Sequence, residues 1–458
     1  MRFVVLVCLV AACGKVEHLA DAPLAGDGKG ADANTGPDAD AHGPVTVTVY
    51  DQYNLQDVAT PTPDIPVVFI EADGTVTANV TTGADGTATA NVLAGASVTV
   101  IYGSGTSDRR LETITGVKPG DNLTVGPMGY PSREKTSAAY TANVPERFSI
   151  DALYEVYGPC GSSSSNLAGS GAPTPVNLAF YKDCEADPMN LLAIAYNNDR
   201  IADGYIEQTG VAEGAGSGDM PNNWQPFATT TSTFTNIPTA DVTSISMDKL
   251  APDIYGWDQN GYTFDGNTTQ TITFSAPLTA SALMLTRFNG DNGREQRLYE
   301  IVDGTKTDYG ADVTATLLPW LSIPGLDRAN HTITVTVTGT GSGDVFDAEV
   351  DYYRTDANQN TTSIAWQIFG PTAGDLVMPP LPAALADNLP QSNDVVQYSF
   401  ADLVEADGVA SYDDLRGDLF GALAAYQRGR GAIGSKVRIS HSNMLVGFTS
   451  IVTSHFHR

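Results

Sequence analysis

Carboxylates dominate the residues that could do chemistry in this sequence. Asp and Glu number 53 against 24 Lys and Arg, for a net charge of −29. Their tightest alternation is Asp347, Glu349 and Asp351, with Asp344 just ahead. Alternate residues of a strand face one way. These three therefore share a face, where like charges repel unless a cation sits among them. They are candidate ligands for Ca2+, which takes oxygen donors; a solvated polar strand face is the alternative. Paired carboxyls also run glycoside hydrolysis when a cleft holds them roughly 5–10 Å apart. Trp224, Trp257, Trp320 and Trp366 could line a sugar platform, or fill cores. His455 and His457 alternate near the C-terminal end and lack a third nearby metal ligand. Neither His-Glu-x-x-His nor Gly-x-Ser-x-Gly occurs. Gly429, Gly431 and Gly434 spell a dinucleotide fingerprint, but a helical pattern precedes them and a strand-like one follows, the reverse of what that motif needs. Arg416-Gly417-Asp418 falls inside a predicted helix and reads as chance.

Any such site must be built on strands. At 458 residues the chain has room for two to four domains. From Pro44 the apolar residues alternate, as in Val45, Val47 and Val49, the mark of a half-buried strand. Pro66–Ile70, Val76–Val80, Thr87–Val92 and Ser97–Tyr102 follow. Asp73-Gly74 and Asp85-Gly86 between them are hairpin signals, where both central residues need positive φ. Further strands are predicted from Arg147 to Tyr157, Val176 to Tyr181, Leu191 to Tyr196 and Val242 to Met247. A denser run starts near Tyr262 and includes Ala282–Phe288, Leu298–Val302, Val345–Tyr353 and Ser363–Phe369. No fixed repeat period is visible, which argues against a propeller. Pro379-Pro380-Leu381-Pro382 reads as a stiff linker. Ser411 then caps a predicted helix with the stripe Leu415, Leu419, Leu423 and Tyr426. Lys436–Ile439 and Leu445–Val452 read as closing strands.

The N-terminal end carries a different chemistry. Arg2 is followed by an apolar run, Phe3 to Val10, then Ala11-Ala12-Cys13, the layout of a secretory signal. Val10-Ala11-Ala12-Cys13 resembles the lipobox of bacterial lipoproteins. The resemblance implies a signal cut before Cys13, a lipid on its thiol and an acylated new amine. Several acyl chains at about 0.8 kcal/mol per buried CH₂ hold a protein where one does not. An ordinary signal cut near Ala12 is the alternative. Gly14 is not the acidic residue associated with inner-membrane retention, so the resemblance points to the outer membrane. Residues 14–43 are rich in Ala, Asp, Gly and Pro and lack apolar periodicity, the composition of a disordered tether; they resemble tethers of deltaproteobacterial lipoproteins. If Cys8 leaves with the signal and Cys13 carries lipid, Cys160 and Cys184 remain. An even remainder in an exported chain favours a disulfide. Closing that loop would contribute about 3 kcal/mol in the chain-entropy model; two free buried thiols are the alternative.

Ile65 to Val68 and Thr81 to Ala88 follow the pattern P-x-x-V-x-V … T-T-x-x-D/N-G-x-A/F. This stretch resembles bacterial Ig-like and carboxypeptidase-regulatory-like modules, which implies a small β-sandwich without catalysis.

The sequence therefore predicts a mainly β, multi-domain β-sandwich protein with a small α+β C-terminal segment. Residues 1–12 are the signal peptide, 13–43 the lipidated Cys13 and tether, and 44–126 an Ig-like sandwich. Residues 127–255 form a β-rich domain holding the Cys160–Cys184 disulfide, and 256–380 a further β-rich domain. Residues 381–458 form a linker, helix and terminal strands. The expected function is a non-enzymatic lipoprotein of the outer membrane, facing the periplasm or cell surface. Its partners are the membrane, through lipid, and a polysaccharide or surface-protein ligand. An exported carbohydrate-active enzyme or carbohydrate-binding protein is the alternative. No cofactor is expected beyond the candidate Ca2+ at Asp347, Glu349 and Asp351. The acidic balance repels phosphate backbones and argues against nucleic acid.

Overall fold

The computed structural model describes residues 41–50, 61–103, 107–126, 135–147, 151–158, 161–166, 173–181, 188–197, 199–212, 216–250, 258–263, 266–409, 411–417 and 432–444. Within them the chain is mostly strand, and two of its sandwiches share one long sheet while another has two sheets of its own.

The first seven strands are β1 (Gly43–Val49), β2 (Pro66–Ile70), β3 (Val76–Thr81), β4 (Thr87–Val92), β5 (Ala96–Tyr102), β6 (Asp108–Val117) and β7 (Asn122–Val125). They split into a three-stranded sheet, β4-β1-β7, and a four-stranded set, β3-β2-β5-β6. Strand β1 runs antiparallel to β4 and parallel to β7. Its alternation is why: Val45, Val47 and Val49 are fully buried while Thr46 and Thr48 face outward.

The next seven strands repeat this plan. They are β8 (Lys135–Val144), β9 (Asp151–Gly158), β10 (Gly161–Asn166), β11 (Thr174–Tyr181), β12 (Met189–Asn197), β13 (Ala202–Val211) and β14 (Ser217–Asp219), paired as β11-β8-β14 and β10-β9-β12-β13. The plan then recurs in β15 (Ala228–Thr235), β16 (Ser244–Leu250), β17 (Asp258–Thr263), β18 (Gln270–Ala276), β19 (Ala282–Asn289), β20 (Arg294–Val302) and β21 (Asp308–Asp312), as β18-β15-β21 and β17-β16-β19-β20. The order is the same three times, and each first strand lies parallel to its module's last. The modules open at Gly43, Lys135 and Ala228, a repeat of about 92 residues. The repeat is one of topology, because a sandwich asks only for alternation and turns. The third sandwich begins at Ala228, ahead of the boundary at 256 drawn from the strand-dense run.

A one-turn helix, α1 (Val313–Thr316), follows, capped by the Asp312 side chain. Short strands come next: β22 (Trp320–Leu321), β23 (Gly325–Asp327), β24 (Thr332–Thr334) and β25 (Val337–Thr338). The long strands β26 (Val345–Thr355) and β27 (Thr361–Gly370) lead to β28 (Leu376–Val377), β29 (Val395–Ala406), the turn helix α2 (Tyr412–Leu415) and β30 (Lys436–Asn443). Strands β30, β29, β26 and β27 join the first and third sandwiches into one twelve-stranded sheet, ordered β17-β16-β19-β20-β30-β29-β26-β27-β6-β5-β2-β3. Its junction between β27 and β6 is parallel. The expected C-terminal segment thus supplies two central strands of this sheet.

The partner sheets of the first and third sandwiches sit on opposite faces of the long sheet. Leu283, Leu285 and Tyr299 point into the core that holds Val45, Val47 and Val49. Their neighbours Met284 and Leu298 point into the third sandwich's core with Phe234 and Ile272.

Three local expectations change. At Asp73-Gly74 and Asp85-Gly86 only the glycine has positive φ. Each Asp instead accepts from the Thr two residues on, at 2.9 and 3.1 Å, an Asx-type turn. The second of these turns carries the chain from one sheet to the other. Asn292-Gly293, between β19 and β20, has φ of 59° and 74°, the doubly positive hairpin form. The Pro379–Pro382 stretch is packed: Met378, Leu381 and Leu385 are buried against Trp366 and Phe346 on the second face of the long sheet. Prolines deny it a ladder, but its apolar side chains still leave water. Of the predicted helix, Tyr412 and Leu415 are buried in the first core, and Leu419, Leu423 and Tyr426 lie outside the described residues.

Candidate functional site

One face of the long sheet changes character along its strands. Near one end the inward residues are apolar: Ile114, Phe369, Val345, Val404, Ile439 and Tyr299. Two to six residues further along the same strands and on the same face they are charged or polar. There β6 offers Arg110 and Glu112, β27 Gln367, and β26 Asp347, Glu349 and Asp351. Strand β29 adds Tyr398 and Asp402, β30 His441, and β20 Glu295 and Arg297. The cross-strand pairing makes this a row, with Glu112 opposite Gln367, Gln367 opposite Glu349, Asp347 opposite Asp402, Asp402 opposite His441 and His441 opposite Glu295.

Glu112, Glu349, Asp402 and Gln367 are at most 1% exposed, and Asp347 is 5% exposed. Buried charge is costly unless it is paired, and the pairing centres on Arg110. Its Nε donates to Glu112 Oε1 at 2.8 Å and its Nη2 to Gln367 Oε1 at 2.7 Å. Nη2 also lies 3.0 Å from Glu349 Oε2. Gln367 passes the chain on, its Nε2 donating to Asp347 Oδ2 at 2.7 Å. Beyond Asp347, Asp402 Oδ1 lies 2.6 Å from His441 Nδ1, and His441 Nε2 lies 2.9 Å from Asn443 Nδ2. Glu295 pairs with Arg297, and Asp248 with Arg287.

Apart from the Glu295–Arg297 pair, five carboxyls, one guanidinium and one imidazole cannot all be ionised without a large net charge in a buried space. The carboxyls respond as expected. Burial, then the charge of Asp402, raises Asp347 well above the usual carboxylate range. Burial, then Glu349, pushes Asp351 up to about 8. Burial, then Glu349, also raises the Tyr398 hydroxyl. Among the described residues, both Glu349 oxygens, Asp402 Oδ2 and the Tyr398 hydroxyl are buried without a hydrogen-bond partner, although Glu349 Oε2 keeps its ion pair with Arg110. Burial and the neighbouring charges thus favour the protonated forms of Asp347 and Asp351.

The structure therefore brings Asp347, Glu349 and Asp351 onto one buried face, and the cation beside them is Arg110. Among the described residues no three or more His, Cys, Asp or Glu side chains are arranged to hold a metal ion. Cys13, Cys160 and Cys184 lie outside the described residues, as do Trp257, His455 and His457. Trp366 is fully buried, its Nε1 donating to Thr113 Oγ1 at 3.0 Å. Trp320 is buried, with Arg294 5.2 Å from its ring centroid. Trp224 packs on Tyr154 at 5.3 Å between centroids. The three described tryptophans are thus packed into separate sites and form no shared platform. Arg416 is held by both Asp121 carboxylate oxygens, at 2.6 and 2.9 Å. Arg110, Gln367, Asp402 and His441 are the residues that sequence reasoning missed. The one local signal was Arg110-x-Glu112, two opposite charges alternating on an otherwise β-prone run.

No protein-family model matches the chain, and no curated protein does. Among solved structures it matches the Bacillus anthracis TIE protein at 9% identity over 59% of this chain and 49% of that one, with a TM-score of 0.14. The chain thus spans about half the length of that protein. It also matches a candidate adhesin of Bacteroides ovatus ATCC 8483 at 11% identity, over 37% of this chain and 83% of that one, with a TM-score of 0.14. A second Bacteroides ovatus candidate adhesin matches at 9% identity, over 65% and 94% of the two chains, with a TM-score of 0.09. Likenesses this low carry no argument about fold or function.

Proposed function

We propose that this chain is a lipid-anchored extracytoplasmic protein whose β-sandwich modules present binding surfaces outside the membrane. The observation that carries this reading is the repetition of one sandwich plan three times behind a tether-like N-terminal stretch. Repeated sandwiches are a means of holding loops and faces at a distance, and function then sits in sites grafted on them. The outward faces suit that use. Thr229, Thr231 and Thr233 stand opposite Ser275, Thr273 and Thr271 on the third sandwich, and Thr46 and Thr48 stand opposite Thr89 and Thr87 on the first. Val10-Ala11-Ala12-Cys13 supports the anchor, with Cys13 as the acylated residue and Cys160 and Cys184 as the disulfide of an oxidising compartment.

Mass spectrometry of the native N-terminus tests the anchor. It should find Cys13 as the mature first residue, carrying acyl chains, and Cys13→Ser should move the protein from the membrane to the soluble fraction. An unmodified mature start at Cys13 or beyond overturns it. A polysaccharide panel tests the binding half, and turnover of any member would replace this reading with that of a carbohydrate-active enzyme.

A further inference from the structure

A cleft of about 440 Å³ lies between the segment at α1 and the β29–β30 part of the long sheet. The half-buried Leu317, just after α1, lines one side beside the buried Leu318. The loop leading into β26 brings Thr340, Ser342 and Asp344, while β29 and β30 bring Glu405 and Arg438. The volume falls within the roughly 300–1,000 Å³ of small-molecule sites.

Among the described residues, the polar groups here keep hydrogen-bonding capacity to spare. Asp344 accepts from the Ala406 N–H through Oδ2 at 2.8 Å, which leaves Oδ1. Arg438 pairs with Glu405 Oε1 through Nη2 and reaches Thr316 O through Nη1 at 3.4 Å. That leaves Nε on the arginine and Oε2 on the glutamate. Both side chains are about one-third exposed, at 28% and 31%, so these atoms are within reach of solvent. The Thr340 and Ser342 hydroxyls stand on an exposed loop and can both donate and accept. The loop backbone is specialised. Gly339 and Gly341 have φ of +112° and +126°, and a Cβ on Gly343 would come within 2.5 Å of Leu403 Cδ1.

We infer that this cleft binds a neutral saccharide unit. Two carboxylates accept from sugar hydroxyls, the guanidinium donates to them, and the two hydroxyls do either. The half-buried Leu317 lies against the edge of the ring. One arginine against two carboxylates leaves a net negative charge, which repels phosphate, sulfate and uronate groups. This inference rests on the reading of the chain as a surface-binding protein and names the ligand class and the site.

The test uses the full-length protein in detergent against a panel of neutral and anionic polysaccharides, followed by calorimetry on any hit. Ser342→Trp fills the cleft from an exposed loop, and Arg438→Leu removes the donor. A neutral glycan should bind, and each variant should weaken it at least about tenfold with the thermal midpoint of the fold unchanged. Binding that survives both variants overturns the cleft while leaving the surface-binding reading intact. A preference for anionic glycans, or no neutral glycan bound by acylated protein, overturns the cleft. Loss of membrane attachment bears only on the anchor, through the separate Cys13 experiment.

Discussion

The two halves of one sheet face use the same strands in opposite ways. Around Val345, Phe369 and Ile439 the face is apolar and packs as an ordinary core. Around Glu349, Gln367 and His441 it is equally dry but polar, and is held by one chain of hydrogen bonds running from Arg110 through Gln367 to Asp347 and a second through Asp402, His441 and Asn443. The apolar half is tolerant, because dispersion and burial spread over many contacts. The charged half concentrates its dependence on one guanidinium and on the protons its carboxyls keep. Burial alone therefore does not identify what holds a region together.

The comparison breaks most visibly at Arg110. Arg110→Met leaves Glu112 and Glu349 buried without their cation and should cost about 3–5 kcal/mol in urea unfolding near pH 7. Adding Glu349→Gln should recover a good part of that loss. If the single variant costs less than about 1 kcal/mol, the seam is not held in this way.

Asp351 sharpens the contrast through pH. Its carboxyl is raised to about 8 in the folded protein, against an unfolded value of about 3.9. Between those values the folded state keeps a proton that the unfolded chain has released, so stability falls as pH rises across the window. The slope approaches about 1.4 kcal/mol per pH unit for each proton held. Asp351→Asn removes this titration. The variant should lose less stability than the parent between pH 5 and 8, and parallel profiles would refute the assignment.

The smallest effect belongs to the apolar half. Ile439→Val removes one buried methylene and should cost about 0.5–1.5 kcal/mol, by the same amount at pH 5 and pH 8. A pH-dependent cost there would mean that the two halves are coupled.

Much of the strand content was legible, because alternation such as Val45-x-Val47-x-Val49 reports one wet and one dry side. The shared face of Asp347, Glu349 and Asp351 was legible for the same reason. Its surroundings were not. The two natural readings were an exposed face or a metal, whereas the counter-charge comes from Arg110, through the parallel pairing of β6 with β27. Nothing within either strand encodes a neighbour so distant in the chain. Strand β29 escaped notice because Tyr398, Phe400, Asp402 and Val404 mix polar and apolar residues on one side, which obscures the period that marks a strand. The threefold plan left no residue period, since topology is conserved by where turns fall and which side is dry, with few particular residues required.

In each sandwich the first and last strands lie side by side and parallel, as β1 does with β7. Tension applied to the two ends of such a module pulls these neighbours past one another along their length. All the hydrogen bonds between them then bear load together, in shear, where an antiparallel terminal pair would open one rung at a time like a zip. A chain tethered at one end and gripped at the other would meet its greatest resistance at the entrance and exit of every module.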